Sequence, residues 1–112
     1  QISLEDLVRM ASAAVEGVQE RGKAQVGDKT MLDALVPARD ALAEAAEEGL
    51  DLEAALAHAT KAAEEGMLHT RELKSKIGRA SWFSERTVGV QDPGATAVAM
   101  MIRSLSAFVQ EV

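Results

Sequence analysis

Residues 92–109 read DPGATAVAMMIRSLSAFV. The first residues carry a helix start. Asp92 offers a side-chain oxygen suited to an N-cap, and Pro93 fits the first helical position, where its missing N–H costs nothing. From Ala95 to Val109 the chain is apolar around most of a helix circumference. That pattern predicts a helix buried on several sides. It lacks the alternation of a half-buried strand.

Three further helices precede it. Ser3-Leu4-Glu5-Asp6 has the form of a capping box, with acidic groups near the positive helix end. Leu4, Leu7, Val8, Ala11, Ala14, Val15 and Val18 follow at helical spacing, and Gly22 is a stop, so the first helix covers about residues 3–21. Asp28 is read as the cap of a second helix reaching about Glu48, with Met31, Leu35, Ala38, Leu42 and Ala45 as its apolar stripe. Pro37 falls inside it and predicts a distortion over Asp33–Pro37. Gly49 closes it. Asp51 caps a third helix, which carries Leu52, Ala55, Leu56, Ala59 and Ala63 and continues to about Leu73. Gly66 inside that helix either weakens it or admits another backbone. The fold class is all-α.

The chain has 112 residues, enough for one modest domain. Apolar residues are 47% and charged residues 27%, which supports a core and excludes compositional disorder. Aromatics are only 3%, so Ala, Leu, Val and Met must fill that core. A net charge of −6 offers no basic field for nucleic acid. Cysteine is absent, which excludes disulfides and thiolate chemistry. The longest apolar run, Ala97–Ile102, is far too short to span a bilayer. No signal peptide is visible, and a cytoplasmic location is expected.

One stretch interrupts the helical pattern: GRASWFSERTVGVQDPGAT, residues 78–96. Arg79 and Arg86 suit phosphate contacts, although surface arginines more often solvate a loop or pair with an acid such as Glu85. Trp82-Phe83 fits loop-to-core packing better than partner binding. Free N–H groups at the start of a helix can hold an anion, and Gly94 lets a ligand approach the backbone. Asp92 opposes that reading unless it faces a sugar, a base or a cation. Gly27-Asp28-Lys29-Thr30 lacks the glycine spacing of a phosphate loop and reads as a capped helix start with a salt-bridging lysine. His58 and His69 stand roughly three turns apart on one helix and cannot share a metal there. From the residues alone, the chain is a helical domain with one elaborate segment able to bind an anion.

Two stretches add to this. GKAQVGDKTMLDALVPA (22–38) and residues 78–96 closely resemble the nucleotide-binding L subunit of bacterial dihydroxyacetone kinase, in its phosphotransferase-system branch. The resemblance implies a barrel of eight antiparallel helices with ADP and magnesium at one end. It covers the C-terminal half of that domain, so residues 1–112 are expected to form about half of the barrel. It implies that bound ADP accepts phosphate from a phosphohistidine carrier, the M subunit. The resulting ATP then donates it to dihydroxyacetone held on the K subunit. By position, Gly22 and Met31 match residues near the adenine, Arg79 matches an arginine close to the phosphates, and Asp92, Pro93 and Gly94 match the segment along the nucleotide. Arg79 is the expected catalytic residue. Trp82 and Phe83 depart mildly from the family pattern.

The family's aspartate-rich magnesium loop and its Gly-Gly-Ala-Ser-Gly type phosphate loop do not occur in this chain. The expectation is therefore that magnesium ligands belong to a missing N-terminal half, which the chain needs as a partner. No metal ligand is assigned within residues 1–112. The alternative reading is a noncatalytic helical interaction module derived from the same fold. No nucleic-acid or membrane partner is expected.

Overall fold

The computed structural model describes residues 3–22, 25–73 and 89–111. Four α-helices lie among them: α1 (Leu4–Gly22), α2 (Leu32–Glu47), α3 (Leu52–His69) and α4 (Pro93–Glu111). A single 3-10 turn, Thr70–Glu72, extends α3. No strand occurs among the described residues. The all-α expectation holds.

Three helix starts follow the sequence. The Ser3 hydroxyl accepts from the Asp6 N–H at 3.2 Å, and the Asp6 carboxylate accepts from the Ser3 N–H at 3.1 Å. This is the reciprocal capping box. Asp51 accepts from the Ala54 N–H at 2.8 Å, and Asp92 accepts from the Ala95 N–H at 2.8 Å. Gly49 ends α2 with φ of 75°, a left-handed conformation that glycine adopts without a Cβ penalty.

The second helix starts differently from the expectation. Asp28 does not cap α2. Its carboxylate accepts from the Gln25 N–H at 2.9 Å and closes the preceding turn. Thr30 and Asp33 organise the start instead. The Thr30 hydroxyl accepts from the Leu32 N–H at 3.2 Å, while the buried Asp33 carboxylate accepts from the Thr30 N–H at 2.9 Å and the Gly27 N–H at 2.8 Å. The third helix likewise ends at His69 rather than Leu73, because the chain tightens into the 3-10 turn.

Helices consecutive in the chain run antiparallel, while α2 and α4 start at the same end. Val15 near the end of α1 meets Leu32 at the start of α2 through the apolar residues around them. Gly66 near the end of α3 lies against Asp33 near the start of α2. Asp92 at the start of α4 bonds Thr70 just beyond α3, and Arg103 farther along α4 reaches Glu64 at 3.8 Å. The core is small-residue packing: Ala34, Ala38, Leu42, Ala45, Ala55, Leu56, Ala59, Ala63, Ala95 and Ala99.

At Gly66 the α2–α3 approach is closest. A Cβ there would lie 1.9 Å from the Asp33 carbonyl oxygen. Pro37 has no N–H to offer that carbonyl, the one its helical bond would otherwise reach. The two irregularities in the sequence, Pro37 and Gly66, therefore meet at one backbone crossing.

One expectation is corrected. Helix α4 is not buried on several sides. Ala95, Ala99 and Ser106 face α2 and α3, but Met100, Met101 and Phe108 are 64%, 70% and 63% exposed. Apolarity around the helix was read as burial, yet within the described residues α2 and α3 cover one face only.

Candidate functional site

The antiparallel order gathers four chain positions at one end of the bundle. These are the end of α1 at Gly22, the start of α2 at Met31, the 3-10 turn after α3, and the start of α4 at Asp92-Pro93-Gly94. Gly94 and Met31 touch. A Cβ on Gly94 would lie 3.3 Å from both the Met31 backbone nitrogen and its Cβ, and 3.1 Å from an Asp92 carboxylate oxygen. Met31 is exposed at this junction. Gly22 shares the bundle end but not the junction: a Cβ built on it would meet nothing within 4 Å. Arg79, with Trp82, Phe83 and Arg86, lies outside the described residues.

Asp92 is fixed from several directions. Its N–H donates to the Thr70 hydroxyl at 2.9 Å, and its carbonyl accepts from the Thr96 hydroxyl at 2.8 Å. Gln91 donates to the Thr96 hydroxyl at 2.7 Å and accepts from Arg71 at 3.0 Å. The Gly89 N–H also donates to the Arg71 carbonyl. Residues 70–73 and 89–92 are thus stitched side by side.

Sequence reasoning took Lys29 for a salt-bridging lysine at a helix start; it proves to be buried at this end of the bundle. Its Nζ donates to the Leu73 carbonyl at 3.1 Å. Burial holds the ammonium below the ordinary lysine range, an effect the negative charge of Asp92 offsets only in part. The signal for Asp33 was present in Thr30-Met31-Leu32-Asp33, which has capping-box spacing. Lys29 and Thr70 had no such local signal.

Among the described residues, no group of three or more His, Cys, Asp or Glu is placed to hold a metal ion. The donor set does not fit a magnesium site held by these residues alone. No described helix is long and apolar enough to cross a membrane. An open groove of about 330 Å³ between α2 and α3 is lined by Glu44, Glu48, His58, Lys61 and Glu65 with alanines beneath. Its charged side chains are exposed, and it holds none of the junction residues.

Residues 1–107 match the family model described as the DAK2 domain. The chain belongs to the DAK2 family. It is 40% identical over 98% of its length to the PEP-dependent dihydroxyacetone kinase, ADP-binding subunit DhaL, of Escherichia coli K12, and covers 52% of that protein. It is 35% identical over 93% of its length to the ADP-binding subunit DhaL of PEP-dependent dihydroxyacetone kinase 1 of Listeria innocua, covering 47% of it. Human triokinase/FMN cyclase is 38% identical over 88% of this chain, which covers 17% of that larger DAK2 relative. The chain therefore spans about half the length of the DhaL relatives. The resemblance read from residues 22–38 and 78–96 is borne out.

Proposed function

We propose that this chain is part of the ADP/ATP-binding subunit of a dihydroxyacetone phosphotransferase. In this reading it lines the nucleotide with Gly22, Met31, Arg79, Asp92, Pro93 and Gly94. The observation that carries the reading is the contact of Gly94 with Met31 at the start of α4. Two positions that the resemblance puts beside the nucleotide, far apart in sequence, meet at one bundle end. The helix dipole at such a start favours an anionic ligand, while Met31 fills the space beside Gly94 and the Asp92 carboxylate already accepts from the Ala95 N–H.

Residues 1–112 are then the C-terminal half of the nucleotide domain, contributing four of eight barrel helices. Phosphate passes from the phosphohistidine carrier M subunit through bound ADP to dihydroxyacetone on the K subunit. Phosphoryl transfer of this kind relies on positioning and on neutralising charge, which magnesium supplies when bound. Its ligands belong to the part of the domain beyond this chain. Arg79 acts here as the charge-stabilising group.

Titration of the complete subunit with ADP and magnesium tests the reading. Gly94→Ala should weaken ADP binding about tenfold, a loss of about 1.4 kcal/mol, and should also lower the melting temperature, because its Cβ presses on Met31 and Asp92. Unchanged affinity removes the junction from the nucleotide site. Arg79→Ala should slow phosphoryl transfer in the assembled complex, and an unchanged rate removes that role. The exposed apolar face of α4 favours a second reading, a noncatalytic interaction module. A complete subunit that binds no ADP but holds a protein partner would decide for it.

A further inference from the structure

Asp33 is 2% exposed at the start of α2. Starting a helix needs no such burial, since Asp51 caps α3 from an exposed position. Taking a carboxylate out of water is costly unless its oxygens are bonded. Here both are. Oδ1 accepts from the Gly27 N–H at 2.8 Å, and Oδ2 accepts from the Thr30 N–H at 2.9 Å. Those two N–H groups bound a four-residue turn that contains Lys29, whose φ is 61°. A left-handed lysine backbone is disfavoured and persists only where its surroundings over-determine it. The Asp33 carboxylate grips the turn on both sides of that residue.

The turn leads directly into Met31. The Asp33 N–H donates to the Thr30 carbonyl at 3.0 Å, and the Leu35 N–H donates to the Met31 carbonyl at 2.9 Å. Met31 has no side-chain cap bond of its own. Its backbone nitrogen and Cβ are what Gly94 meets across the bundle end. On the other side, Leu32 is fully buried and the Asp33 carbonyl lies against Gly66 of α3. Asp33 therefore ties the tight α2–α3 crossing to the Met31–Gly94 junction. The exposed Met31 side chain ends in a polarizable thioether, which suits the edge of an aromatic ring better than a phosphate.

We propose that Asp33 is a positioning residue: its buried carboxylate fixes the 27–30 turn so that Met31 stands against Gly94 as an apolar wall for the base of the nucleotide. This rests on the nucleotide reading above. Asp33 need not touch the ligand and acts through Met31.

A double-mutant cycle separates this role from simple structural support. The complete subunit is titrated with adenosine and ADP as wild type, Asp33→Asn, Met31→Ala and the double variant. Asparagine keeps one acceptor and loses the other. Asp33→Asn should weaken ADP binding about tenfold, and adenosine by the same factor, because the base is common to both. The double variant should bind no more weakly than the weaker single one. Losses that multiply, a loss confined to ADP, or no loss overturn the inference; a change in stability alone would leave the affinity of the folded subunit unmoved. If Asp33→Asn does not fold, hydrogen exchange of the wild type decides. Ligand and turn must stabilise each other reciprocally, so saturating ADP should slow exchange at the Gly27 and Thr30 amides, and unchanged exchange there overturns the inference. A wild type that binds neither ligand overturns the nucleotide reading and this inference with it. A wild type that binds both, with losses that multiply, overturns this inference alone.

Discussion

Ala55, Ala59 and Ala63 on α3 are fully buried, whereas Met100, Met101 and Phe108 on α4 stand more than half exposed. Both helices are rich in apolar residues. The α2–α3 seam uses small side chains, so the backbones approach until a Cβ at Gly66 would strike the Asp33 carbonyl. Stabilisation there comes from many close contacts rather than from large buried side chains. The outer face of α4 carries larger groups with nothing from the described residues upon them. Burying one such side chain is worth about 1.5–3 kcal/mol, which this face does not gain within the chain. The seam is a finished interface and the outer face is an unfinished one.

The largest expected effect breaks the seam. Gly66→Ala would gain helix propensity in an open position, but its Cβ would lie 1.9 Å from backbone that cannot swing aside as a side-chain tip can. The helices must separate, at a cost of about 3 kcal/mol. Separation would also disturb Asp33, whose carboxylate organises the loop before α2. Urea unfolding followed by circular dichroism checks this. A loss below about 1 kcal/mol would show the crossing to be looser than its geometry.

Next comes the end of the seam that leads into the candidate site. The Thr70 hydroxyl accepts from the buried Asp92 N–H and donates to the Met67 carbonyl at 2.5 Å. Thr70→Val keeps the shape and removes both bonds. An unsatisfied buried N–H costs about 1–3 kcal/mol, so unfolding should come earlier by that amount. The ADP affinity of the complete subunit should fall with it, because the start of α4 loses its tether. A stability loss with unchanged ADP affinity would separate the Asp92 turn from the nucleotide.

These two regions also divide what the sequence could disclose. Ser3, Asp51 and Asp92 were legible as caps because each bonds an N–H three residues on. Asp28 misled because two cap patterns overlap; the pair at Thr30 and Asp33 lies nearer the helix and organises its start. Gly66 was legible as a position open to close approach, but its partner was not. The partners of Lys29 and Thr70 were invisible because they lie 44 and 22 residues away, a separation no local pattern encodes. Met31 and Gly94 were found through resemblance to a family, and physical reading of the loop alone left them unconnected. The exposed face of α4 was misread for a different reason. Periodicity reports which residues want a neighbour, not whether the chain supplies one.

The smallest effect on stability sharpens the other side of the comparison. Met101→Gln and Phe108→Gln alter groups that already face solvent, so each should change the stability of this chain by less than about 0.5 kcal/mol. Their effect should appear in association instead. An open stripe of Met, Leu and Phe favours contact with another apolar surface, so the chain alone should self-associate in size-exclusion chromatography, and the paired substitution should shift it toward monomer. In the complete subunit, where the proposed second half covers this face, each substitution should cost about 1.5 kcal/mol or more. A wild-type chain that runs as a stable monomer, with glutamine variants equally stable in both contexts, would show that α4 needs no cover. The same apolar residues would then be a surface that the fold tolerates, and the case for a missing half would rest on relative length alone.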